Sequence, residues 1–78
     1  MKNRVTNLVG WVGVILVVLA YILVSFEMLT PKDLLYQLLN AFGALGILIE
    51  TFSKKDYQPF WLNIIWLGVA VIAIIKII

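Results

Sequence analysis

The 78-residue sequence has no cysteine and no histidine. Without cysteine there is no disulfide framework and no thiolate to hold a metal. Without histidine the usual zinc ligand and the usual general base near neutral pH are both missing. Haem ligation through either residue is excluded with them. Charge is scarce too: 13% of residues are charged and the net charge is +2. The basic residues are scattered, so no stripe for nucleic acid exists. No carboxylates pair on one face, and no nucleophile stands beside a base. The sequence therefore predicts no catalytic residue, no metal, no cofactor and no enzyme activity.

What is abundant is apolar surface, at 64% of residues. A soluble fold of this length cannot hide that much, because small domains keep a large share of their residues at the boundary. The composition fits a chain whose outer solvent is lipid. A helix crosses the bilayer core with about 20 apolar residues. Three stretches meet that requirement: Leu8 to Phe26, Leu34 to Phe52 with one acid (Glu50), and Tyr57 to Ile75 closed by Lys76. Closed barrels would need period-two alternation, which is absent. Lys2 and Arg4 before the first run resemble a signal peptide, but apolar residues continue through Phe26, which is too long for a signal core. The expectation is an uncleaved span.

The expected fold is an all-α membrane protein, a single three-helix transmembrane domain over 1–78 with helices near 8–27, 31–53 and 57–77. Thr30-Pro31-Lys32-Asp33 reads as a helix start, with Thr30 capping and Pro31 in the first helical position. Ser53-Lys54-Lys55-Asp56 is the second break, with Pro59 in the first turn beyond it. Short connections make consecutive helices antiparallel neighbours. Lys2, Arg4, Lys54 and Lys55 fall on one side of the membrane, Lys32 and Lys76 on the other. By the positive-inside rule this favours a cytoplasmic N-terminus.

At about 100° per residue, helix 2 sorts into two faces. Tyr36, Asn40, Gly43, Ala44, Ile47, Glu50 and Thr51 share one, with Gln37 at its edge. Leu38, Phe42, Leu45, Ile49 and Phe52 share the other. In a membrane the small and polar face meets other helices and the large apolar face meets lipid. Helix 1 sorts Gly10, Gly13, Ala20, Tyr21 and Ser25 against Ile15, Leu19, Ile22 and Phe26. In helix 3, Asn63, Trp66, Ala70 and Ala73 share a face.

Depth divides the polar residues into two clusters. Tyr21, Tyr36, Gln37 and Asn40 belong near the first loop; Glu50, Asn63 and Trp66 form the second cluster. Gly10, Gly13 and Gly43 are close-contact points for helix packing. Two readings stand for the first cluster: a solute site lined by amides and hydroxyls, or interhelical hydrogen bonding. For Glu50 they are proton or cation coupling, or pairing with Lys54 four residues on. Asn63 is a ligand amide or a partner of Glu50 or of a backbone carbonyl. Trp11, Trp61 and Tyr57 read as interfacial anchors.

Gly10, Gly43 and Pro59-Phe60-Trp61-Leu62-Asn63 give the chain a general resemblance to the SemiSWEET sugar transporters of the PQ-loop group. These are three-helix chains that dimerise into a six-helix carrier. Leu23-Val24 stands where that group has Pro-Gln, and Ile47 is nearest to its helix 2 tryptophan. A second pattern is more specific: Ala20-Tyr21 with Ser25, Leu35-Tyr36-Gln37-x-x-Asn40-x-x-Gly43 and Pro59-x-x-x-Asn63-x-x-Trp66. It resembles the CBU-type family of short bacterial membrane proteins, over residues 8–75. That resemblance implies the fold and a bacterial inner membrane, and it supplies no activity.

Three helices leave each polar cluster open on one side, so self-association or another partner is expected to close it. One expectation is a homodimeric half-transporter passing a small neutral solute. The other is an accessory or structural subunit, a hetero-oligomeric partner within a larger membrane complex. Membrane lipid is the surrounding partner in both.

Overall fold

A computed structural model describes residues 4–78. The chain forms α1 (Arg4–Ser25), α2 (Leu34–Ser53) and α3 (Tyr57–Ile77), each long and apolar enough to cross a membrane. The long axis measures 37 Å, which matches a hydrocarbon core of about 30 Å plus part of the interface. No strand occurs among the described residues. The architecture is the all-α three-helix transmembrane bundle that the sequence predicts.

The helices are arranged around α2, which packs against both others; no Cα of α1 comes within 8 Å of one in α3. Among the described residues no large side chain is fully buried, and the apolar core consists of Ala20, Ala44 and Ala70. Lipid offers no hydrophobic drive to bring helices together, so close packing of small residues must do it. The α1–α2 crossing shows how close. A Cβ on Gly13 would lie 2.5 Å from the carbonyl oxygen of Gly43, and one on Gly46 would lie 2.8 Å from that of Val9. Gly10 is covered instead by the side chain of Glu50. Large residues such as Phe42, Phe52, Ile15 and Ile72 point outward, as solvent-facing residues do when the solvent is lipid.

Two helix ends use one device. After α1, Glu27 adopts φ 63°, while its N–H donates to Val24 O and that of Met28 to Leu23 O. After α2, Lys55 adopts φ 58°, while its N–H donates to Phe52 O and that of Asp56 to Thr51 O. Both are Schellman closures with a left-handed residue just past the helix, and neither uses glycine.

The start of α2 differs from the sequence expectation. Asp33, not Thr30, holds the cap position, and Pro31 lies outside the helix. Thr30 to Asp33 form a turn: Asp33 N–H donates to Thr30 O, and Thr30 N–H donates to the Asp33 carboxylate at 2.6 Å. Pro31 suits the second position of such a turn as well as a first helical turn, so the tetrapeptide alone does not decide between them.

Candidate functional site

The centre of the first-loop half is a contact between α2 and α3. Trp66 Nε1–H donates to Asn40 Oδ1 at 3.3 Å. An indole nitrogen can only donate, so this bond fixes the orientation of the amide: the oxygen faces Trp66 and the NH₂ group faces away. Asn40 is 5% exposed. Among the described residues its NH₂ donates to no group, and no fully occluded side-chain nitrogen or oxygen lacks a partner. The amide N–H bonds therefore open into free space beside the residue.

That space is two clefts divided by one septum. One, of about 300 Å³, lies between α2 and α3 beneath the first loop, with Pro31, Gln37 and Ala70 in its wall. The other, of about 490 Å³, runs between α1 and α3 over the face of α2, bounded by Val17, Val18, Tyr21 and Val24. Tyr36, Asn40 and Trp66 line both. These volumes fall in the roughly 300–1,000 Å³ range of small-molecule sites. No charged side chain lines either one.

Gln37 is buried, and its NH₂ donates to Pro31 O at 2.8 Å. It ties the first loop to α2 instead of presenting a donor to the cleft. Tyr36 lies on the septum. Tyr21 is 69% exposed and forms a rim instead of the packed wall the sequence suggests. The reason is geometric: α1 has only α2 as a neighbour, so a narrow strip through Gly10, Gly13 and Ala20 is covered. Tyr21, about 100° around the helix from Ala20, falls outside it. Ser25 is exposed for the same reason.

The second cluster does not assemble. Glu50 faces α1, lying over Gly10 and paired with Lys54. Asn63 is buried and donates from Nδ2 to Pro59 O at 2.8 Å, within its own helix. Trp66 joins Asn40, so it belongs with the first cluster. The face it shares with Asn63 points to the second cluster, but its greater depth does not. It sits nine residues into α3, about 13 Å along the axis, and its long indole spans what separates it from Asn40. Gly46, buried against α1, carries as much of the crossing as Gly43; the Gly43-x-x-Gly46 spacing is its sequence signal.

At the second-loop end, the rings of Phe52, Tyr57 and Trp61 all pack against Phe60, with centroids 5.5–6.2 Å from its own. Together with exposed Trp11 they supply an interfacial belt.

Three antiparallel apolar helices with small residues at their crossings define a small α-helical multi-pass integral membrane protein. A family model matches residues 6–78, and the chain belongs to that family. Family membership lends nothing to a relationship with the sugar carriers. No curated protein and no solved structure matches the chain.

Proposed function

We propose that the chain is a self-associating half-carrier of the bacterial inner membrane that holds a small neutral solute at the Asn40–Trp66 septum. One observation carries the reading: a buried amide is fixed in orientation by Trp66, and its NH₂ is left free beside uncharged clefts. A polar group held without a partner in an apolar setting costs up to roughly 1–3 kcal/mol, and an acceptor bound in the cleft would offset that cost. Association of two copies completes the site, because α1 and α3 leave one side of it open in a single chain. With the N-terminus and second loop cytoplasmic, the septum lies in the outer half of the bilayer.

A second reading is an accessory subunit of a larger membrane complex. It is favoured by how many polar groups are already satisfied inside the chain. Gln37, Thr51 and Asn63 bond to backbone carbonyls, and Glu50 pairs with Lys54. Little polar surface is left to line a continuous path across the second-loop half.

Native mass spectrometry of gently extracted protein separates the two. A species at twice the chain mass is expected for the half-carrier. Recovery only with a larger heteromeric partner removes it and leaves the accessory reading.

A further inference from the structure

The septum and its clefts define the chemistry of an occupant more narrowly than "small neutral solute". The donor and acceptor capacities of Asn40 are unequally spent. Its oxygen is held by Trp66, whereas its NH₂ is free among the described residues. Tyr36, on the same septum, also bonds no group there through its hydroxyl. The Asn40 NH₂ thus offers a donor that calls for an acceptor oxygen on the ligand, and the Tyr36 hydroxyl can donate or accept beside it. Charge is excluded as well. No Asp, Glu, Lys or Arg lines either cleft, and an ion in this setting would lose its hydration without a counter-ion.

The route in is equally restricted. The larger cleft lies between two helices whose Cα atoms stay more than 8 Å apart, and the exposed Val18, Tyr21 and Trp66 on its edge face the bilayer, so it is open sideways. Its walls there are Val17, Val18 and Val24, with Tyr21 on the rim. Asn40 stands six residues beyond Leu34, about 9 Å along α2 from its first-loop end. That is inside the hydrocarbon region and deeper than the layer of phospholipid ester groups. A ligand reaching it through this opening must itself be soluble in the membrane interior.

We infer that the α1–α3 cleft binds a membrane-soluble neutral carbonyl compound of the quinone class, with one carbonyl oxygen accepting from Asn40 Nδ2 and the ring lying beside Trp66. A flat, uncharged ring with acceptor oxygens and an apolar tail meets each requirement. This inference rests on the reading of the septum as a ligand site and not on the oligomeric state.

The test uses the full chain carrying Trp11→Phe and Trp61→Phe, which leaves Trp66 as its single tryptophan, in phosphatidylcholine nanodiscs. The probe is a decyl-substituted benzoquinone, and the signal is quenching of Trp66. Saturable quenching is expected, with a midpoint raised at least tenfold by Asn40→Leu and no competition from decylbenzene, which lacks the acceptor. Circular dichroism checks that the variant folds. If it does not, Val18→Phe, which narrows the cleft while keeping the amide, is expected to raise the midpoint in its place. Quenching that rises linearly and equally in parent and folded variant overturns the inference, as does equal competition by decylbenzene. A tenfold lower midpoint in ether-linked phosphatidylcholine assigns the site to the phospholipid ester carbonyl and also overturns it. Native mass spectra of the same discs keep the two proposals apart. A dimer without saturable quenching removes only the quinone ligand, and a quenched monomer removes only the dimeric carrier.

Discussion

The carbonyl oxygen of Gly43 occupies the place that a side chain on Gly13 would need: a Cβ there would come within 2.5 Å of it. The obstacle is backbone, which cannot swing aside as a flexible side chain can. Gly13→Val is therefore expected to separate α1 from α2 and to destabilise the fold by about 1–3 kcal/mol, the usual cost of overpacking. Gly68, with nothing within 4 Å of its added Cβ, is the control. Gly68→Ala is expected to be neutral or to stabilise by about 0.5–1 kcal/mol through helix propensity. Unfolding measured by steric trapping in bicelles reads both.

The Trp66–Asn40 bond lends itself to a double-mutant cycle. Trp66→Phe removes the donor, Asn40→Leu removes the acceptor, and the pair isolates their coupling. Interhelical hydrogen bonds in membranes average about 0.6 kcal/mol and reach about 1.7. The same unfolding assay is expected to return a coupling in that range. A coupling of zero would mean that the contact adds nothing to the α2–α3 interface.

The closures after α1 and α2 place Glu27 and Lys55 in left-handed backbone, at φ 63° and 58°. Residues with a Cβ are disfavoured there by roughly 1–2 kcal/mol, part of which a glycine gives back as unfolded-state entropy. Glu27→Gly and Lys55→Gly are each expected to stabilise by about 0.5–1 kcal/mol, raising the melting temperature in detergent. An unchanged or lowered value would show that the carboxylate or ammonium contributes something the geometry does not reveal.

Orientation is open to direct measurement. With a cytoplasmic N-terminus, three spans place residue 78 in the periplasm. A periplasm-dependent phosphatase fused after Ile78 is expected to be active, and one fused within Lys54–Lys55 inactive. Reversing the charges of Lys54 and Lys55 is expected to weaken or invert that pattern, because those two lysines supply half of the favoured side's positive charge.

Much of this was legible before any coordinates. Uninterrupted apolar runs defined the spans, because only helices of that length satisfy backbone groups in lipid. Helical periodicity also placed Gly10, Gly13, Gly43, Asn40 and Asn63 on packed faces, where the structure has them buried. The misses share a cause. Periodicity gives a residue's direction around its own helix, not which neighbour lies there. Glu50 and Asn63 both turn inward, one towards α1 and the other along its own helix. Tyr21 turns towards a side where no helix packs. That α2 alone touches both partners is a property of three helices together, and no single helix's face pattern contains it.

The central position of α2 bears on how the protein is made. It is the least apolar of the three spans; its Gln37 amide is held by the first loop, and the oxygen of its Asn40 amide by Trp66, which is synthesised after it. On its own it would be the span most readily returned to water by the insertion machinery. Its glycines, however, match those of α1, which precedes it out of the ribosome. The two can enter the bilayer as a preformed hairpin, and α3 then arrives to seal the amide that the hairpin leaves exposed.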